Sequence, residues 1–471
     1  MESNYFEVLN KVKTTNFSNG LIQKLFKTFK VQSILTRSNI KKEKGHSILQ
    51  LIYTLFVINI DNFRSIYSGL KHLSCEKMID PIMNMMGNIN YDWKGALFRV
   101  AKVYEKIQPS TDDDKMIIFD DSSNTKTGKK VDFTSWFYNH AEDEYFRGFQ
   151  TVMASYYNGF QSIPLSFIFK IGNYRKYNSK NIRKYPKGSK MRGIVRSSKK
   201  SKTQIVMQML KQTLKRRFDF SYVLWDSWYT CAESIEFVFD RLISKDINLV
   251  SMVKRDGRYY HYRGKYYQQH QLFFKAGRNW NKIEGGDIKY KEIVVDYIDS
   301  RQKTDNENRD KLGKVKLVFV KYPDVEKYRI LLSTDIKLTG VDILEKYLRR
   351  WSIEQLFKNM KQHFGYNQCM SGKYEVLVAD FTIRCVFYII MAYRREYYRS
   401  QSMMEVILEF YKEFYENTLE KLIQKVLYDS IVKIINHAKS LGIKTIKELE
   451  NNLDKIFVDI FNRPIEKIVP D

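Results

Sequence analysis

Apolar residues recur at helical spacing early in the chain. Ile48, Leu51, Ile52, Leu55 and Phe56 fall on one face, so residues 1–105 read as a helical region. The pattern changes after Asp114. Residues 116–119 are a short apolar run ending in Asp120-Asp121-Ser122-Ser123, which predicts a buried strand with a polar end. Residues 149–157 and 162–170 predict two more strands. Asn158-Gly159 lies between them, and that dipeptide favours a hairpin. A helix is expected from Ser201 to about Arg217. Residues 222–225 then form another short apolar run that ends in an aspartate, Asp226. A helix at 232–242 and a strand at 249–253 come next. A hairpin followed by alternating strands and helices predicts a mixed α/β sheet rather than a bundle.

Residues 259–267, 289–297, 315–322 and 328–333 read as strands between charged turns, predicting a β-rich insertion. One long helix is expected from about 341 to 364. The predicted organisation is a helical region at 1–105, a core in two parts at 106–255 and 335–372, the insertion at 256–334, and a helical region at 373–471. The most apolar stretches are 48–60 and 386–393. The first contains Gln50 and Asn59, and the second is short and lies between Arg384 and Arg394. Neither is expected to span a bilayer, so both predict buried helices and no membrane partner.

Charge changes the picture. Lys+Arg total 80 against 53 Asp+Glu, and the net +27 favours a polyanionic partner. The chain is also rich in Ile, Asn and Tyr, as AT-rich coding produces, and Lys rises with them, so charge alone does not decide. Residues 175–202 concentrate it, with Lys199 and Lys200 at the end. This stretch predicts an exposed loop, either a solvated surface or a track for a DNA backbone. Its position between the hairpin and the helix before Asp226 favours DNA. Cys75, Cys231, Cys369 and Cys385 include no CxxC pair, which argues against structural zinc and fits a reducing cytosol. Residues 1–17 contain no apolar signal core, so a cytoplasmic location is expected.

Two aspartates at the ends of separate buried strands are the first chemical signal. Strand ends are where α/β sheets bind ligands, and carboxylates there can hold Mg²⁺. Asp also starts turns and caps helices, so the pair is ambiguous alone. The stretch 347–361 adds to it. At about 100° per residue, Tyr347, Arg350, Glu354 and Lys361 share an arc of roughly 60°. Ile353, Leu356, Phe357, Met360 and Phe364 form a separate apolar face. Ion pairs Arg350–Glu354 and Glu354–Lys358 would explain the charges as a solvated face, but not the two upstream aspartates. His140 is either an aid beside a metal or a hydrogen-bonded structural histidine.

The spacing Tyr347-x2-Arg350-x3-Glu354-x6-Lys361 resembles the Y-R-E-K signature of insertion-sequence transposases of the IS-four type. Asp121-Ser122-Ser123 is similar to that family's first-aspartate motif, and Leu224-Trp225-Asp226-Ser227-Trp228-Tyr229 to its second. The likeness covers about residues 115–365. It implies an RNase H-like catalytic core and a DDE transposase that cuts and pastes DNA at terminal inverted repeats. Asp121, Asp226 and Glu354 would be the catalytic carboxylates, holding two Mg²⁺ or Mn²⁺ ions. Side chains alternate along a strand, so only one of Asp120 and Asp121 faces the metal, and the motif favours Asp121. Tyr347, Arg350 and Lys361 would contact phosphates. Trp280 and Trp351 are candidates for base stacking or, alternatively, for the core. The partners implied are double-stranded DNA, as transposon ends and target, and a second subunit in a homodimer on DNA. In a prokaryotic cell the protein would associate with the nucleoid. Region 1–105 is the candidate for DNA-end binding and 373–471 for dimerisation. The rival readings are a non-catalytic DNA-binding repressor or relic, and a nuclease without strand transfer.

Overall fold

The computed structural model describes residues 20–40, 46–60, 66–72, 76–108, 115–128, 130–139, 142–172, 184–283, 286–299, 310–323, 325–397 and 402–413, with isolated positions beyond. The chain divides into two units. One is Leu25–Val406; the other combines Met1–Lys24 and Ile407–Asp471. The second is described at few positions, of which 407–413 are helical. The sheet and the helices packed on it lie within Leu25–Val406.

The first hundred residues are helical where described: α1 (Gly20–Thr28), α2 (Val31–Arg37), α3 (Ile48–Ile60), α4 (Ile66–His72), α5 (Ile79–Gly87) and α6 (Trp93–Ile107). The apolar face expected on α3 is buried at Ile48, Leu51, Ile52, Leu55 and Phe56.

A mixed sheet comes next, bearing out the α/β expectation. Its first strands are β1 (Met116–Thr125), β2 (Ser135–Asn139), β3 (Glu144–Tyr157), β4 (Ser162–Lys170), β5 (Tyr222–Trp225) and β6 (Asn248–Val253). β1 is antiparallel to β3 and parallel to β5, which is in turn parallel to β6. β4 pairs antiparallel with β3. The apolar run at the start of β1 and the centre of β5 are fully buried, as parallel strands covered on both faces require. The Asn158-Gly159 turn does join β3 to β4. Tyr157 pairs with Ser162, so the loop has four residues. Asn158 Oδ1 accepts from the amides of Phe160 and Gln161, and Gly159 supplies the positive φ of 95°.

Two helices, α7 (Lys190–Ser198) and α8 (Lys202–Lys215), lead into β5, and α9 (Ala232–Arg241) connects β5 to β6. The exposed loop expected over 175–202 is therefore corrected in part. Residues 173–183 lie outside the described residues, but α7 is a capped helix. Met191, Ile194 and Val195 form a buried stripe, and the Ser189 side chain accepts from the Arg192 amide. The high charge masked three apolar positions at helical spacing.

Beyond β6 come β7 (Tyr259–Tyr262), β8 (Lys265–Gln268), α10 (Gln269–Lys275), β9 (Asn281–Lys282), β10 (Lys289–Ile298), β11 (Lys311–Lys321) and β12 (Arg329–Ser333). These strands extend the same sheet. β12 runs antiparallel along β6, and the order continues β12-β11-β10-β7-β8.

The single helix expected at 341–364 is two, α11 (Gly340–Arg349) and α12 (Trp351–His363). At the break the amide of Arg350 bonds to Tyr347 and that of Ile353 to Arg350, the tighter i to i−3 pattern. No Gly or Pro marks the place. α11 packs on β6, β10 and β12, and α12 on β1 and β4; one straight rod does not follow a twisted sheet across that span. The apolar face of α12 is as expected, with Ile353, Leu356, Phe357 and Met360 buried.

The last long helix, α13 (Tyr374–Tyr397), is long and apolar enough to cross a membrane by length and composition. Its apolar window is 94% buried within the protein, against α5, α6 and β4 among others, as an interior helix is. Arg384 and Asp380 pair inside it at 2.6 Å, and Arg384 Nη1 also donates to the carbonyl of Phe364.

Candidate active site

The register of the two parallel strands brings the acids together. Phe119 pairs with Trp225, and their rings lie 6.3 Å apart. The next residues are Asp120 and Asp226. Asp120 lies within β1, and Asp226 is the first residue past β5. Asp120 accepts from the amide of Asp121 at 2.8 Å and from Arg350 Nη1 at 3.2 Å. The other arm of the same guanidinium, Nη2, donates to Glu354 at 2.5 Å. One arginine at the break between α11 and α12 thus bridges an acid on β1 and an acid on α12. Burial pushes the Asp120 carboxyl up to about 7; Arg350 opposes this, and the charges of Asp121 and Glu354 add to it.

Asp226, Tyr347, Arg350, Trp351 and Glu354 line a cleft of about 690 Å³, with Arg329 on its wall. Asp226 accepts from the amide of Ser227. Burial raises the Tyr347 hydroxyl to about 12, and the charge of Asp226 adds to the effect.

Asp121, the aspartate that the motif favours, is not part of this network. Its carboxylate is held by Lys202 Nζ at 2.9 and 3.0 Å and by the Tyr229 hydroxyl at 2.6 Å. Alternation along β1 turns it away from Asp120, towards the start of α8. The serines that follow the pair do not distinguish the two aspartates; the guanidinium of Arg350 reaches Asp120.

Residues 186–390 match the family model described as the transposase DDE domain. That stretch of the chain is similar to a transposase DDE domain. No curated protein matches the chain. The family implies an enzyme of the polynucleotidyl-transferase or nuclease type that acts on DNA with divalent metal ions. The matched segment of the DDE domain includes Asp226, Glu354 and the stretch from Tyr347 to Lys361, and begins after β1.

The carboxylates of the DDE domain offer hard oxygen donors, which suits such ions. Among the described residues, no three His, Cys, Asp or Glu side chains stand close enough to share one ion as they are oriented. Glu354, whose side chain is 41% exposed, is turned onto Arg350 and has room to swing. The Nε of Arg350 is buried without a hydrogen-bond partner among the described residues, so the guanidinium is not fully matched where it sits.

The remaining expected residues scatter. Trp351 stands on the cleft wall at 58% exposure, so a core role does not hold for it. Trp280 is half-buried in the extended part of the sheet, 5.6 Å from the Phe273 ring, with Lys291 Nζ 5.1 Å over its own ring. Lys361 is exposed, with its ammonium 5.8 Å over Tyr366, and does not line the cleft. Lys199 caps the end of α7, and Lys200 donates to Gln208 at 3.0 Å. His140 lies outside the described residues. Sequence reasoning missed Trp228. It follows Asp226 by two residues, is 54% exposed, and has Lys254 Nζ 3.7 Å and Lys202 Nζ 5.6 Å from its ring centroid. An aromatic residue in the turn just after a strand-end acid was its only signal.

Proposed function

We propose that the chain is a cut-and-paste transposase with an RNase H-like core, in which Asp120, Asp226 and Glu354 are the catalytic carboxylates. The order β4-β3-β1-β5-β6, with β1, β5 and β6 parallel and the β3–β4 hairpin antiparallel, supports that core. The observation that carries the reading is Arg350, which joins Asp120 to Glu354 beside the Asp226 cleft. The donor set favours two Mg²⁺ or Mn²⁺ ions, which when bound activate the attacking water or 3′-hydroxyl and neutralise charge at the leaving oxygen. The protein's own part is positioning and charge. Asp120, within β1, and Asp226, just past β5, would offer oxygens from neighbouring strands, while Glu354 closes on them from α12. Arg350 and Tyr347 face the same cleft and are suited to phosphate oxygens of the transposon end. A homodimer on DNA, with 1–105 at the element's ends and 373–471 between subunits, completes the proposal.

The test is incubation of the full chain with labelled linear DNA carrying the element's ends, with Mg²⁺ or Mn²⁺. Joined products support a transposase. Cut products alone mean a nuclease, and retarded intact DNA means a binding protein or relic. Asp226→Ala should abolish chemistry and leave end binding intact. Asp120→Asn should do the same, while Asp121→Asn should retain activity. Cleavage by the Asp226→Ala variant would refute the assignment.

A further inference from the structure

A second cleft, of about 490 Å³, lies between α6, α7 and α8 and shares no lining residue with the acidic one. Lys94, Lys190, Lys215 and Arg216 line it, and Asp92 is the only carboxylate among its lining residues. Asp92 is already engaged. It caps α6 by accepting from the Gly95 amide at 3.0 Å and stands 3.6 Å from Arg99. The Arg216 guanidinium lies 4.4 Å over the Phe98 ring on the cleft wall, so it is held against an apolar surface. Burial lowers the Lys94 ammonium to about 8, against the pull of Asp92 and with a smaller contribution from the nearby Arg216. Among the described residues, four cations gathered around one occupied acid leave charge that is not neutralised. An anion would relieve that cost.

The position says which anion. At its other end α8 reaches β1. Its first residue, Lys202, holds Asp121, the neighbour of Asp120. Gln208, Gln212 and Lys215 of the same helix line the basic cleft. At 1.5 Å per residue they stand roughly 9 to 20 Å farther along it. The other wall, with Lys190 and Gly193, belongs to the basic stretch that the sequence marked as a DNA track.

We propose that this cleft binds backbone phosphates of duplex DNA. The proposal rests on the reading of the chain as a DNA-processing enzyme. It adds a fixed second point of attachment, which sets the angle and register at which a duplex enters the acidic cleft.

Gly193 makes the test clean. It is exposed on α7, and a Cβ there would meet no atom within 4 Å. Gly193→Glu therefore adds a negative charge to the cleft without a clash and leaves the acidic site untouched. Binding of the full-length protein to a labelled duplex is measured by fluorescence anisotropy without divalent metal, across a salt series. Gly193→Glu should weaken binding about tenfold or more, and its salt slope should fall by about 1. Gly193→Ala and Gly193→Lys should bind within about twofold of the parent. Lys94→Gln, which removes a charge instead of adding one, should also lose about 1 from the slope. If Gly193→Glu binds like the parent at every salt concentration, or if Gly193→Ala fails equally, the cleft is not a phosphate site. If the parent itself does not bind duplex DNA, the cleft proposal and the functional reading fall together. If it binds through the cleft but never cleaves, only the functional reading falls.

Discussion

Replacing Asp120 with asparagine should destroy activity and yet stabilise the metal-free protein. The carboxyl is pushed from its ordinary 3.8 up to about 7, mainly by burial, and its side chain is only 20% exposed. A carboxyl whose folded pKa lies above its unfolded value is disfavoured when ionised. The fold therefore loses stability as pH rises from about 4 to about 7 and levels off above that. The gap corresponds to about 4 kcal/mol at full ionisation, at 1.36 kcal/mol per pH unit. The attraction of Arg350 is already contained in that net shift, so the isosteric amide should recover about 2–4 kcal/mol of it. For a cooperative unit of this size, roughly 1 °C per kcal/mol follows from the entropy of unfolding, so Tm should rise by about 2–4 °C near pH 8. Near pH 4 the difference should vanish. Differential scanning calorimetry in chelator across this range measures it. A variant less stable than the parent at pH 8, or a gain independent of pH, would refute the account of the buried charge. Metal supplies the second arm. Mg²⁺ at about 100 times its Kd should stabilise the parent by about 2.7 kcal/mol, through binding to the folded state alone. Asp121→Asn should keep that response and Asp120→Asn should lose it.

Other consequences are as direct. Gly365 has φ 64°, and a Cβ there would sit 2.0 Å from Arg384 Nη1. Gly365→Ala should therefore cost about 3 kcal/mol or more, by disturbing a buried ion pair, and lower Tm in chemical or thermal melts. Arg350 lowers the pKa of Asp120, so Arg350→Gln should move the acid limb of the pH–rate profile to higher pH while reducing cleavage; an unmoved limb would contradict the pairing. Trp228→Ala removes an exposed ring held beside Asp226 by two lysines and should weaken binding of single-stranded DNA by about 1–3 kcal/mol, with duplex binding less affected, in parallel titrations.

Much of the site is written in local pattern. Asp226 ends an apolar run, and Glu354 sits about 100° from a clear apolar face, so the strand, the helix and the outward direction of each side chain follow from periodicity. Which of Asp120 and Asp121 stands beside Arg350 does not. It depends on the packing of α12 against β1, a relation between residues more than two hundred positions apart, which no local pattern records. The break at Arg350 escaped for a similar reason, since it answers the twist of the sheet rather than any helix-breaking residue. Helix α7 was hidden differently: its stripe of Met191, Ile194 and Val195 is short, and dense charge around it suggested a loop. The exposure of Trp351 follows only once α12 is docked, because aromatic residues on helices usually face inward.

The pairing of β6 with β12 has a topological corollary. Val253 and Ile330 are cross-strand neighbours, so the polypeptide departs from β6 and returns on β12 at points about 5 Å apart. Residues 254–329 form a closed excursion whose length is decoupled from the spacing of Asp226 and Glu354. Segments of very different size could be spliced in at that seam, or trimmed back to a tight reverse turn, and the two acids would keep their separation.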